Sequence, residues 1–491
     1  MFENENERDK DSRKDVEVAE AQSTGVTNLS STELAEERSL LSDSDKYVSS
    51  AFEDEEEHDI KYRTCSWQHT TGLMLSEYIV LAIMSFPWSY SVLGLVPGLI
   101  LTVFVAVTVL YTGLIILNYC EKFPHLKNVC DIGQHLFWGK KWAWYATAVC
   151  FLANNTLIQG LHVLVGAKYL NTVTNHSICS VSFGVIVACI SLVISIPRTF
   201  YSLSLIGYFS AITMFIAVVL AMIFAGVQSH PEGYDGTGVV FRAFPAEGTT
   251  FVQGMGAFLN IVYTFVGQIT YPQFISEMKN PRDFKKVLWI TTIAEVIIFA
   301  LAGAIMYVYV GNYYITAPAF GSLIRKYKII SFSFAIPTIL FVGALYANVS
   351  SRFLFHNIFQ NSKHRYTHTT TGWLTWIGLL TLTWIGAFII AEVIPFFSDL
   401  LSLMSSLFDC WFGFVFWGIA YFKLKELKYG KHNLYASLDR AEKVHLYIAI
   451  ALILIGLFIL GPGLYAAIDS IVLNYQDDAY GTVFSCASNG V

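Results

Sequence analysis

Charged residues are scarce in this sequence. Only 14% of its 491 residues are Asp, Glu, Lys or Arg, whereas about one quarter of a soluble protein is charged. Apolar residues make up 54% and aromatic residues 15%. This composition excludes a soluble globular protein, a nucleic-acid-binding protein and a wholly disordered chain. It predicts an integral membrane protein with several spans.

Cysteine is also sparse, and the familiar catalytic motifs are missing. Eight cysteines in the whole chain exclude a disulfide-dense secreted module. The sequence contains no Walker A loop, no Gly-x-Ser-x-Gly, no His-Glu-x-x-His and no Gly-x-Gly-x-x-Gly. His364 and His368 lie close together but lack a third metal ligand nearby. We therefore expect no enzyme activity, no cofactor and no metal site.

Long apolar stretches dominate the rest of the chain. A helix needs about 20 mostly apolar residues to cross a bilayer, and about eleven stretches satisfy this requirement. Their approximate limits are 70–93, 96–118, 143–168, 178–196, 203–227, 251–275, 284–310, 330–357, 373–391, 396–422 and 444–472. The predicted fold is all-α, with eleven transmembrane helices.

The first 60 residues differ from this membrane region. They hold 19 of the 37 acidic residues and show no apolar periodicity, so they cannot bury enough surface to fold. We predict a disordered acidic cytosolic tail over 1–60, a membrane domain over 61–475 and a short extracytosolic tail over 476–491.

The orientation follows from the basic residues in the loops. One set of loops holds 17 Lys and Arg residues and the other set holds five. Because basic loops stay in the cytosol, the N-terminus is predicted to be cytosolic and the C-terminus extracytosolic. Asn175 begins a glycosylation sequon in a predicted outer loop. Cys179 and Cys486 are also placed outside, where they either pair or remain as two free thiols.

Two predicted spans contain residues that interrupt a helix. In span one, Pro87 follows Ser85 and Phe86, and proline removes a donor and clashes with the preceding turn. In span six, Gly267 and Pro272 share one short polar stretch. A proline kink would explain either break alone. However, the two breaks open two predicted five-helix halves, which is the pattern expected of a transporter with inverted repeats.

Unwound backbone at such breaks offers free N–H and C=O groups to a substrate. The break in span one is predicted around Ser85–Phe86, with a half-helix that starts near Trp88 and presents N–H groups to an anion. The predicted substrate-binding residues at the breaks are Ser85, Phe86, Trp88, Thr264, Phe265 and Gly267. Asn155 in span three and Asn348 in span eight are predicted cavity walls. Hydrogen bonding between helices is the alternative role for such residues.

Acidic residues inside a membrane are candidates for function. Glu77 in span one and Glu295 in span seven are predicted proton carriers. Glu77 lies ten residues before Pro87, which is roughly 15 Å along a helix and within the cytosolic half of the span. Asp399 and Asp409 in span ten are further intramembrane acids. Pairing with a lysine or a backbone donor is the alternative role.

Several motifs together resemble the amino acid/auxin permease family, most closely the fungal neutral amino acid permeases of the methyltryptophan-resistance type. The resemblance covers about 61–475. Its motifs are KYRTCSWQ at 61–68, LGLVPG at 93–98, FPHLKN at 123–128, EMKNPRDF at 277–284, GWLTWIG at 372–378 and IPFFSDLLSL at 394–403.

The resemblance implies a five-plus-five inverted repeat with discontinuous helices one and six, and one additional C-terminal helix. It also implies symport of a neutral amino acid with protons across the plasma membrane. Such permeases typically read Ser-Leu-Pro-Ser-Ala at the first break, where this chain has the bulky Phe86 and Trp88. This departure from the family pattern leaves the preferred side chain of the substrate open and predicts a smaller or reshaped pocket.

The N-terminal tail contains a candidate sorting signal. Glu36, Leu40 and Leu41 form an acidic dileucine pattern, which predicts contact with trafficking machinery and favours residence in an endosome or vacuole. Two alternatives to plasma-membrane uptake follow. One is a vacuolar or endosomal exporter of the same fold, and the other is a non-transporting amino acid receptor that signals through its tail.

Overall fold

A computed structural model describes residues 63–198, 200–360, 362–365, 367–430, 434–476 and 483–490. The predicted tail over 1–60, with Glu36, Leu40 and Leu41, lies outside the described residues. So does part of the predicted C-terminal tail.

The described residues are helical throughout, apart from loops and one isolated bridge between Cys65 and Met278. Nine helical stretches within them are long and apolar enough to cross a membrane. They are Trp67–Leu93, Leu95–Lys122, Lys141–Thr174, Leu205–Val227, Pro281–Val310, Arg325–Ile358, Thr370–Val393, Phe397–Tyr429 and Arg440–Gln476. Two shorter apolar helices, Ser180–Ile194 and Phe251–Phe265, occupy the places of predicted spans four and six. The predicted all-α membrane fold is confirmed.

Contacts between loops define two opposite ends of the helical region. At one end, the backbone N–H of Cys65 donates to Glu277 O, and that of Lys279 donates to Cys65 O. We call this the basic end, because its loops 123–140 and 278–283 hold Lys127, Lys140, Lys279 and Arg282. At the opposite end, Leu95 N–H donates to Arg242 O over 3.0 Å.

A disulfide closes the end opposite the basic end. Cys179, at the start of Ser180–Ile194, is bonded to Cys486, with the two Cα atoms 4.6 Å apart. Two side-chain contacts hold the same segment, because Asn171 Nδ2 donates to Asn489 Oδ1 over 2.6 Å and Ser180 Oγ donates to Ala487 O over 2.5 Å. The sequence left this pairing open, and the structure forms it. We call this the disulfide end.

Span one is interrupted earlier than the sequence predicts. Its first helix is Trp67–Tyr78, followed by the non-helical Ile79 and Val80, a 3-10 turn over Leu81–Ser85 and a second helix over Phe86–Leu93. The predicted break around Ser85–Phe86 is therefore wrong by about one and a half turns. Pro87 sits in the first turn of the second helix, where its missing N–H would have no helical partner in any case.

Span six is interrupted where the sequence predicts. Helix Phe251–Phe265 ends, and a second helix, Tyr271–Glu277, begins after five residues that include Gly267. The two breaks face each other, because a Cβ added at Gly267 would overlap the phenol ring of Tyr78. The hydroxyls of Tyr78 and Tyr271 are hydrogen-bonded over 2.5 Å. The predicted pair of discontinuous helices is thus confirmed.

Span ten contains a feature that the sequence does not announce. Between helices Phe397–Met404 and Phe416–Tyr429, the residues Ser405–Val415 form a π-helix. Such segments are rare, usually span a single turn and occur often at functional sites. A second, shorter one at Ile459–Gly463 contains Pro462, whereas Ser405–Val415 contains no proline. Proline therefore does not explain the longer segment.

Candidate functional site

A small cavity lies beside the two breaks. Its volume is about 40 Å³, which is room for about three water molecules. Spans one, three, six, eight and ten all contribute to its wall. Spans three and eight supply mainly apolar side chains, namely Ile158, Leu161, Val165, Ile339 and Val342.

Glu77 is the acidic group of span one at this cavity. It lies in the last turn of Trp67–Tyr78, only two residues before the break, and is 5% exposed. Thr270 Oγ1 lies 3.2 Å from both of its carboxylate oxygens and shares its one hydrogen between them and Gly267 O, at 2.8 Å, while Tyr346 Oη donates to Oε1. Because the break lies near Glu77, the predicted placement far below the break is wrong. One carboxyl group instead connects spans one, six and eight.

Residues at both breaks line the cavity. Leu81 and Ala82 line it at the start of the 3-10 turn, where the first N–H groups have no partner within the helix. Thr264 lines it in the last turn of Phe251–Phe265, where the carbonyls likewise lack a helical partner. Residues from a helix start in span one and a helix end in span six therefore lie around one cavity.

Comparison with known protein families shows which family contains this chain. The model of the family described as "Transmembrane amino acid transporter protein" matches residues 63–460. The chain belongs to the amino acid/auxin permease family. It is an amino acid transporter with multiple membrane spans.

Relatives from fungi agree. The N amino acid transport system protein of Neurospora crassa is 31% identical over 433 residues, covering 87% of this chain and 89% of that protein. A transmembrane transporter of Gibberella moniliformis is 26% identical, covering 91% of this chain and 93% of that protein. The structure of MhsT in complex with L-phenylalanine has a TM-score of 0.51 at 11% identity, covering 85% of this chain and 99% of that chain. This last likeness shows a shared fold.

The predicted substrate residues of this amino acid transporter divide into two groups. Thr264 and Gly267 line the cavity, whereas Ser85, Phe86 and Trp88 do not. The hydroxyl of Ser85 donates to Ala82 O over 2.7 Å, within its own turn. These three residues lie outside the cavity wall because the helix is interrupted earlier, at Ile79 and Val80, so that the backbone without helical partners is near Leu81.

Aromatic packing accounts for Phe86 and for Phe265, which also lies outside the cavity wall. Phe86 is fully buried, and its ring centroid lies 6.1 Å from that of Phe265 and 5.2 Å from that of Phe299. The bulky residue at this position therefore fills the interior beside the cavity. Phe86 does not line the cavity itself.

Neither of the two asparagines predicted to line the cavity does so. Asn155 does not line the cavity, whereas its neighbour Asn154 does. Asn348 lies toward the basic end, where its amide donates to Ser195 O over 3.3 Å and its Oδ1 accepts from Arg352 over 3.1 Å. Asn348 therefore joins helices, which is the alternative role that the sequence left open.

The second predicted proton carrier, Glu295, is buried near Glu77. It does not line the cavity. The lining residues outside the predicted set include two with groups suited to a ligand or a proton, Tyr346 and Asp409. Tyr346 carries no charge that would mark it in a sequence. The signal for Asp409 was an acid within a span, and nothing in the sequence separated it from Asp399.

Proposed function

We propose that this amino acid transporter carries a neutral amino acid together with protons by alternating access. The position of Glu77 carries the proposal. An ionised carboxylate only accepts hydrogen bonds, whereas a protonated one also donates. A change of protonation at Glu77 therefore alters its bonds to Thr270 and Tyr346, and with them the connection between spans one, six and eight.

The cavity wall supports a neutral substrate. Ile158, Leu161 and Val342 would contact its side chain, and ligand sites are mostly apolar with a few placed polar groups. The N–H groups of Leu81 and Ala82 would hold the carboxylate, and carbonyls near Thr264 would accept from the ammonium. The substrate thus binds across both breaks.

The small volume supports alternating access. A cavity of about 40 Å³ holds a few waters and no amino acid, so the substrate enters only when the surrounding helices separate. Relative motion of the helices that carry the two breaks would open the cavity to one end and then to the other.

We also propose the plasma membrane as the site of action, with the basic end in the cytosol. The disulfide supports an oxidising environment at its end of the molecule. Asn175 is exposed near this disulfide. A glycan on Asn175 that disappears in Asn175→Gln would place the disulfide end outside the cytosol. Microscopy of a tagged copy distinguishes this location from the vacuole or endosome, where the same fold would serve as an exporter.

Uptake measurements test symport directly. A labelled neutral amino acid is supplied to a transport-deficient host that expresses the full chain, with and without a proton uncoupler. We expect the uncoupler to abolish accumulation, and a panel of all twenty amino acids as competitors gives the preferred substrate. Accumulation that is indifferent to the proton gradient would reject symport.

A further inference from the structure

The π-helix of span ten places an acid at the cavity. Asp409 lies in the middle of Ser405–Val415, lines the cavity and is only 5% exposed. Among the described residues, no hydrogen-bond donor reaches its Oδ2 atom. The other intramembrane acid of span ten, Asp399, accepts from Ser470 over 2.7 Å and from Asn474 over 2.6 Å, and does not line the cavity.

A buried carboxylate oxygen without a donor is costly. The hydroxyl of Ser405, in the same π-helix, interacts with the Asp409 carboxyl, but neither this hydroxyl nor Oδ2 makes a hydrogen bond within the part of the chain that the structure describes. Asp409 faces the same space as the open backbone near Leu81 and Thr264. A ligand with a donor group would supply the missing partner.

We infer that Asp409 accepts a hydrogen bond from the α-ammonium group of the transported amino acid. This inference rests on the proposed function and assigns the substrate a third contact, from span ten. An ammonium group has three donors. Carbonyls near Thr264 accept from one side of the substrate, and Asp409 accepts from the wall formed by span ten.

The two acids at the cavity then have different tasks. Glu77 already accepts hydrogen bonds from Thr270 and Tyr346, so its protonation affects the contacts between its own span and the two neighbouring spans. Asp409 has an oxygen available for a ligand. Among the described residues, the cavity wall contains His162 but no lysine or arginine, so the substrate's own ammonium supplies the permanent positive charge beside Asp409.

Ligand chemistry tests the inference without any variant. L-leucine and 4-methylpentanoate share a side chain and a carboxylate, but only leucine carries an ammonium group. Binding to the purified full-length protein is measured by scintillation proximity with labelled leucine and no proton gradient. We expect 4-methylpentanoate to compete about 100-fold more weakly. Equal competition by the two compounds would overturn the inference.

Asp409→Asn tests the residue itself, and Asp399→Asn is the matched control. A hydrogen bond between two charged groups predicts a loss of about 10- to 100-fold in leucine affinity for Asp409→Asn. We expect Asp399→Asn to bind leucine as the wild type does. If Asp409→Asn does not fold, Asp409→Glu keeps the charge and is expected to bind more weakly than the wild type. Wild-type affinity in either variant at position 409 would overturn the inference.

Other outcomes separate this inference from the proposed function. Leucine that binds and depends on Asp409, but is taken up regardless of the proton gradient, leaves the inference standing and rejects symport. If another amino acid is preferred, that amino acid and its deaminated analogue replace leucine in the same assay. Binding of none of the twenty amino acids by the wild type would overturn both proposals.

Discussion

At the scale of single residues, the contact between Gly267 and Tyr78 brings the two breaks together. Gly267 lies in the gap of span six, and a side chain there would overlap the ring of Tyr78. Tyr78 ends the first helix of span one and is fully buried. Both its ring and its hydroxyl, bonded to Tyr271, therefore depend on the missing Cβ.

We predict that Gly267→Ala lowers leucine uptake at least about tenfold and lowers thermal stability, because overpacking costs about 1–3 kcal/mol. Gly256→Ala is the control, since a Cβ there would lie 3.8 Å from Ser402 Oγ, at ordinary contact distance. Uptake and the melting temperature are measured for both variants. Equal values for the two would contradict the importance of this contact.

Protonation of Glu77 gives a second prediction. Glu77→Gln keeps the size of the side chain but cannot ionise, so we expect substrate exchange in proteoliposomes to continue while accumulation driven by a proton gradient falls at least about tenfold. Glu295→Gln is the control, because Glu295 is buried nearby but does not line the cavity. If only Glu295→Gln uncouples transport, the proton carrier has been assigned to the wrong acid.

A polar residue within a membrane span is expected to face other helices and not lipid. The sequence does not show whether it faces a cavity or a neighbouring helix. Adjacent helix positions differ by about 100° in direction, so Asn154 lines the cavity and Asn155 does not. The same uncertainty kept Asp409 outside the predicted site. A change from α-helix to π-helix redirects a side chain, and no residue in Ser405–Val415 announces that change.

At the scale of helices, a buried ion pair fastens span six to span eight at the basic end. Arg352 Nη1 donates to Glu277 Oε1, and these residues are 2% and 6% exposed. The backbone of Glu277 in turn accepts from the N–H of Cys65, just before span one. The pair thus holds the starts and ends of three spans together.

We predict that Glu277→Gln loosens this end, because removing one charge of a buried pair costs about 3–5 kcal/mol. Cys65 is 2% exposed and should react at least about tenfold faster with N-ethylmaleimide in the variant. Labelling is quantified by peptide mass spectrometry. Labelling of Cys65 in the wild type is the reference, and an unchanged rate at Cys65 in the variant would show that the pair does not hold this end closed.

The two helix breaks differ in how well glycine and proline in the sequence predict their positions. In span six, Gly267 lies inside the gap, and Pro272 lies in the first turn of the helix that follows it. In span one, Pro87 pointed to the wrong place, because a proline in a first turn does not interrupt a helix. The true break at Ile79 and Val80 consists of apolar residues without glycine or proline. Its conformation depends on packing against span six, which sequence does not display.

At the scale of the whole molecule, the disulfide joins positions 307 residues apart. It connects the loop after span three to the segment after span eleven. The two five-helix halves are joined along the chain by residues 228–250, which contain Gly238 in open space. A covalent link therefore exists between regions on either side of that connection.

We predict that a protease site inserted at Gly238 yields two fragments that migrate together without reductant and separate with it. Cys486→Ser is the control, and its fragments should separate in both cases. Loss of the disulfide should also lower stability by about 2–4 kcal/mol. Separation of the wild-type fragments without reductant would contradict the pairing and the oxidising environment assigned to this end.

The overall architecture was the most predictable level. Eleven apolar stretches correspond to eleven helical regions, because a membrane imposes length and composition on each span. Motifs spread over most of the chain supplied the family. The interior was less predictable, because the direction of a side chain depends on helix phase and on neighbouring spans.

The π-helix also affects how relatives should be aligned. A π turn bonds residue i to i+5, one residue more than an α turn. Deleting one residue within Ser405–Val415 would convert a π turn into an α turn, and Phe416–Tyr429 would keep nearly the same direction relative to Phe397–Met404. A one-residue gap here in another sequence would therefore mark a homologue whose tenth helix lacks the extra residue, while the flanking residues still align.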